Sequence, residues 1–79
     1  MKAVSGKRFC RLLEIKGWVL KRINGSHHIY AKAGDPARIS VPVHSNTPLK
    51  SGLQRHLMKV ASIDENWSGH KFVYRLKDR

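Results

Sequence analysis

The chain of 79 residues carries 16 Lys and Arg against 5 Asp and Glu, a formal charge of +11. That imbalance is a large self-repulsion, which makes sense if a polyanion or an acidic protein neutralises it. The length supports one small core, no segment approaches the roughly 20 apolar residues needed to span a bilayer, and the single Cys10 allows neither an intrachain disulfide nor a cysteine zinc cluster.

Residues 1–8 lack the apolar run of a secretory signal, so a cytoplasmic protein without membrane contact is expected. Ser5 is placed to cap a helix in which Phe9, Leu12 and Leu13 recur at helical spacing. Lys7, Arg8, Arg11 and Glu14 take its wet side, and Gly17 ends it. Cys10 is expected as a small buried apolar residue. WVLKRI (18–23) is rich in strand formers, with Trp18 as a core anchor. Asn24-Gly25 reads as a hairpin turn and HHIYAKA (27–33) as the return strand. Gly34-Asp35-Pro36-Ala37 reads as a second turn. In the strand 38–43 that follows, Ile39, Val41 and Val43 face inward, and Pro42, lacking a donor, suits an edge or a strand end.

Thr47-Pro48 reads as the start of a second helix with Leu53, Leu57, Val60 and Ala61 as its apolar stripe. Each helix has one stripe, so both need the same face of a three-stranded antiparallel sheet. The result is a two-layer α+β domain, α1-β1-β2-β3-α2, with the other sheet face in water. Residues 1–63 form this domain. Residues 64–79 are a C-terminal extension in which Trp67, Phe72, Val73, Tyr74 and Leu76 suit an added strand or short helix, with Trp67, Phe72 and Tyr74 expected to complete the core or else to serve a partner interface, and with a charged end that frays.

The stretch NGSHHIY (24–30) carries the chemistry. Adjacent strand residues point to opposite faces, so His27 and His28 cannot chelate one ion. His44, His56 and His70 come without supporting Cys or carboxylate spacing, and no metal or other cofactor is expected. One reading makes His27 a residue that finishes the hairpin through a backbone hydrogen bond. The other makes it catalytic. Gly25-Ser26 permits close backbone approach, an imidazole has an unperturbed pKa near neutrality, and Lys21, Arg22, Lys32 and Arg38 would hold a phosphodiester beside it. RNA cleavage needs a base for the ribose 2′-OH, donors for the phosphoryl oxygens and an acid for the departing 5′ oxygen. Only RNA carries that hydroxyl. Lys7, Arg8 and Arg11 join the candidate phosphate contacts. Binding should be salt-sensitive, because each phosphate neutralised on a single strand releases about 0.7 of a counterion.

The ordered set of a basic N-terminal helix, GWVL at 17–20, GSHHIY at 25–30, VPVH at 41–44 and a closing leucine-bearing helix resembles the HicA family of toxin ribonucleases. It covers about residues 3–63. Ser51-Gly52-Leu53 departs from the Gly-Thr-Leu expected at the second helix. The resemblance implies a fold like a double-stranded-RNA-binding domain and cleavage of messenger RNA. It assigns the catalytic role to His27 and implies a cognate HicB-like antitoxin that covers the site, with DNA reached only through that antitoxin. Around His27, Ser26 is expected to orient the ring or donate to phosphate. His28 is structural or substrate-adjacent, and Tyr30 a half-buried residue able to stack on a base. The competing reading is a non-catalytic RNA-binding module of the same fold. A membrane-active or DNA-binding basic protein fits poorly, since no long amphipathic helix with a broad aromatic face is present.

Overall fold

A computed structural model describes residues 2–64; the extension to which Trp67, His70, Phe72, Val73, Tyr74 and Leu76 belong lies outside the described residues. The elements run α1 (Gly6–Ile15), β1 (Val19–Asn24), β2 (His27–Lys32), β3 (Asp35–Pro42) and α2 (Ser51–Val60). The three strands form one antiparallel sheet in the order β1-β2-β3. This is the expected α+β order.

Helix α1 begins and ends where its sequence says. The Ser5 hydroxyl accepts the Arg8 N–H at 3.1 Å, satisfying one of the orphan donors of the first turn. At the other end Gly17 adopts a φ of +97°. The Trp18 N–H returns to the Leu13 carbonyl and the Gly17 N–H to Glu14, a Schellman closure that only a residue tolerant of the left-handed region makes cheaply. Helix α2 closes the same way, with Ser62 at φ +59° and the Ile63 N–H on the Met58 carbonyl.

Three boundaries differ from the sequence expectation. The β1–β2 loop is Gly25-Ser26, because Asn24 already pairs with His27. Gly25 takes φ +62° while Ser26 stays negative, the pattern of a type II′ turn with glycine first. Strand β3 starts at Asp35, ahead of Pro36. An irregularity in the β2–β3 ladder between Ala31 and Lys32 accommodates the proline, and the Asp35 carboxylate takes up the Ala37 N–H at 2.9 Å. Helix α2 starts at Ser51, not at Thr47-Pro48. Pro48 bridges to Ser5, and the Leu49 N–H donates to the Val4 carbonyl at 2.8 Å. These long-range bonds hold 48–50 extended, and they outweigh the local tendency of Thr-Pro to nucleate a helix.

Both helices cover one sheet face. Tyr30, Ile39 and Val41 project from that face, Phe9 and Leu13 meet them from α1, and Leu57 and Met58 from α2; all are buried, together with Trp18, Leu49, Ala61 and Ile63. Burying each large apolar side chain contributes about 1.5–3 kcal/mol. Cys10 is buried among them, as expected for an apolar filler. Among the described residues Gln54 is the buried polar exception. Its carbonyl oxygen accepts the Val4 N–H at 3.0 Å and its amide donates to the Lys2 carbonyl at 2.9 Å, so a single side chain ties the N-terminal segment to α2. Among the described residues no further strand pairs with either edge of the sheet. Pro42 ends β3 on one edge; β1 on the other is exposed along its whole length.

Candidate functional site

Pairing across the sheet fixes which side chains share the face left free by the helices. Residues directly opposite one another project to the same side. His28 lies opposite Val41, and Tyr30 opposite Ile39, so both stand on the helix side. His27, Ile29 and Ala31 therefore line the open side of the central strand. Three cross-strand rows follow: Asn24, His27 and Pro42; then Arg22, Ile29 and Ser40; then Val19, Ala31 and Arg38. Successive rows lie roughly 7 Å apart, two residues at about 3.4 Å each.

The hairpin places His27 at one end of this face. Its ring is exposed, and its backbone is held from both sides by Asn24 and Pro42. Beyond Pro42 the Val43 N–H donates to the Ser26 carbonyl at 2.7 Å, which pins the turn itself. Arg22 stands one row away on β1. A bulge in β1 between Leu20 and Arg22 leaves Lys21 as an extra residue, and Lys21 lines the same open-side cleft as Val19, Ala31 and Arg38. The bulge thus delivers two consecutive cations to one face, where an unbroken strand would split them. The face is polar and cationic at its rim, with Arg22, Arg38, Ser40 and His27 exposed and Ile29 half-buried at its centre.

The expected site residues divide accordingly. His27, Lys21, Arg22 and Arg38 come together on the open face, with half-buried Ser26 beside them in the turn. Lys32 reaches the rim of the cleft, but its ammonium lies 6.0 Å from the centroid of the Trp18 ring. Trp18 itself is 2 % exposed, a core anchor as expected. Lys7, Arg8 and Arg11 are exposed on α1, in the helical layer behind the sheet.

His28 is half-buried on the helix side, the opposite face from His27, where the structural of its two expected roles fits. One expectation is corrected. Tyr30, expected as a half-buried ring able to stack on a base, is 1 % exposed and has no free face for one. Its hydroxyl donates to Glu14 Oε2 at 2.7 Å, a tie between β2 and α1 that strand alternation alone did not reveal. Asn24 and Ser40 were also missed as neighbours of the site, since only the register of the hairpins brings them there.

Burial pushes the Tyr30 phenol well above its ordinary value, and its hydrogen bond to Glu14 and the neighbouring Cys10 thiol push the same way. Burial likewise raises the Cys10 thiol. The folded chain therefore holds the Tyr30 proton more tightly than the unfolded chain does. This contribution is fully present below the unfolded phenol value near 10 and is lost as pH rises above it. Denaturant titrations of Tyr30→Phe should show a loss of about 1 kcal/mol at neutral pH. Above pH 10 the wild type should lose stability more steeply than the variant, and parallel slopes would refute the assignment.

A small basic α+β domain with one sheet face sheathed in helices and the other offering a histidine among cations is the class that the geometry defines. The family model described as the HicA toxin of bacterial toxin-antitoxin systems matches residues 6–63, and the chain belongs to that family. No curated protein matches it. Membership makes the chain a toxin-antitoxin toxin by descent and implies an antitoxin partner. Among the described residues no helix is long and apolar enough to cross a membrane.

Proposed function

We propose that the chain is the toxin of a HicA/HicB-type pair, a metal-independent endoribonuclease that cuts messenger RNA in the cytoplasm at the open sheet face, with His27 as its catalytic residue. The observation that carries this reading is the placement of His27: an exposed imidazole on a pinned hairpin, one row from Arg22, on a face that neither helix covers among the described residues. In the reaction His27 takes the proton of a ribose 2′-OH. The freed oxygen attacks the adjacent phosphorus, the bond from phosphorus to the 5′ oxygen breaks, and that oxygen takes a proton from solvent. The products are a 2′,3′-cyclic phosphate and a 5′-hydroxyl. Arg22 offsets the charge that builds on the phosphoryl oxygens, Ser26 orients the ring or donates to phosphate, and the outlying cations hold the strand. A HicB-like antitoxin inhibits by covering this face, and any contact with DNA runs through it.

The attack needs the sugar hydroxyl. Purified chain should therefore cut an RNA oligonucleotide in EDTA, leave its fully 2′-O-methylated counterpart intact, and yield the cyclic end. Binding of RNA without cleavage would instead establish the non-catalytic module. Cleavage of the methylated strand would overturn the proposed chemistry.

A further inference from the structure

The open face has a second feature at the end away from His27. We propose that the cleft there is a subsite for one backbone phosphate of single-stranded RNA, lying a few nucleotides from the bond at His27; the inference rests on the RNA reading above and adds a fixed second point of attachment to it.

The cleft of about 400 Å³ is lined by Val19, Lys21, Ala31, Lys32, Gly34 and Arg38 among others. Its shape has a sequence cause. Ala31, 5 % exposed, stands between Val19 and Arg38 in one cross-strand row, so a methyl flanked by two longer side chains makes the floor of a depression. Two irregularities build the walls. The β1 bulge brings Lys21 to the side of Val19, and the break in the ladder after Ala31, followed by a turn with Gly34 at φ +83°, carries Lys32 and Asp35 past the rim.

Its chemistry selects an anion. Lys21, Lys32 and Arg38 face a single carboxylate, that of Asp35, one oxygen of which already accepts the Ala37 N–H. Lys32 holds its ammonium over Trp18, and Arg38 Nη1 makes only a long 3.4 Å contact to the Ala37 carbonyl. Lys21 and Arg38 are therefore the pair available to grip a phosphate from opposite edges of the sheet. Among the described residues the lining contains no aromatic ring, so those residues offer nothing for a base to stack on. A phosphate held here would be recognised without regard to sequence.

Its position matches a polymer. Ala31 is four residues from His27 on the same face of the same strand, roughly 13 Å away. Ile29 lies between them, with Arg22 on one flank and Ser40 on the other. A strand gripped at the cleft would run along β2 and present a ribose at His27.

The test uses His27→Ala as a background in which RNA stays intact, and compares it with His27→Ala carrying Lys21→Ala and Arg38→Ala. Both added positions are exposed, so the fold should hold, as circular dichroism would verify. Anisotropy with a short oligoribonucleotide should show binding weakened by about tenfold or more. The slope of log affinity against log salt should fall by about 0.7, the value for one phosphate. Placing a neutral methylphosphonate at each position in turn should find one site, away from the cut, whose neutralisation weakens the background protein and leaves the triple variant unchanged. Unchanged affinity and slope in the triple variant, or losses spread evenly over all positions, would overturn the subsite while leaving cleavage at His27 untouched. Position-specific dependence in a chain that never cuts RNA would keep the subsite and remove the ribonuclease. Absence of RNA binding by the intact protein would remove both.

Discussion

Replacing His27 by alanine is expected to lower the rate of RNA cleavage by about 10²- to 10⁴-fold, the usual worth of a positioned acid or base, with the fold unchanged. The side chain is exposed and at the end of a strand, so its removal opens no cavity. What the backbone needs at this point comes from Asn24 and Pro42 alongside it and from the Val43 bond to the Ser26 carbonyl. Loss of activity can therefore be separated from loss of structure by a melting curve on the same sample. His28→Ala supplies the contrast: that ring lies on the helix side opposite Val41, so its removal should cost stability and leave the chemical step intact once the protein is folded. Growth arrest on expression should vanish with His27 and persist, at permissive temperature, without His28. Equal rates for wild type and His27→Ala would assign the chemistry to another group.

The second large effect is on folding, at Gly6. A Cβ there would strike the Pro42 carbonyl oxygen, with the Pro42 carbonyl carbon at 3.0 Å and Val43 Cα at 3.2 Å. All three are backbone atoms, at the last residue of β3 and the residue just beyond it, and cannot rotate aside. Gly6→Ala should therefore lift the start of α1 from the sheet and cost about 1–3 kcal/mol, each of which lowers the melting temperature by about 4–8 °C in a domain of this size. The ordinary sign for glycine to alanine in a helix is the reverse. Gly52, in the first turn of α2, has nothing within 4 Å of the added carbon, and Gly52→Ala should gain about 0.5–1 kcal/mol. Opposite signs at the two sites, read by thermal denaturation, would establish that contact with β3 and not helix propensity decides Gly6. Because Pro42 is the residue opposite His27, a disturbed β3 end should also loosen the hairpin that carries His27.

Much of the fold was readable from local pattern. The stripe of Phe9, Leu12 and Leu13, the Ser5 cap and the Gly17 stop define α1 because their energetics are settled within a turn or two of chain. Ile39 and Val41 were legible as inward residues by alternation, and the GSHHIY hairpin by its glycine and the paired runs around it. The start of α2 was not legible. Thr47-Pro48 carries a good local helix signal, yet the bonds that overrule it come from Ser5 and Val4, more than forty residues away in the chain. Gln54 was hidden for the same reason, since a polar residue in a helix reads as surface until the backbone groups of Lys2 and Val4 arrive to satisfy it.

The site divides along the same line. The amino acids themselves fixed the presence of an imidazole after a tight turn and an excess of cations nearby, because charge, turn chemistry and the reactivity of a side chain are properties of residues. Which of those residues stand together was decided only when the chain folded. A bulge at Lys21 set two neighbouring cations on one face, and the strand register sent His27 to open solvent and His28 and Tyr30 toward the helices. A small alanine between Val19 and Arg38 became the floor of a cleft. The reason is that register and bulges are chosen by packing summed over the whole sheet, and a shift of a single residue would exchange the two faces entirely.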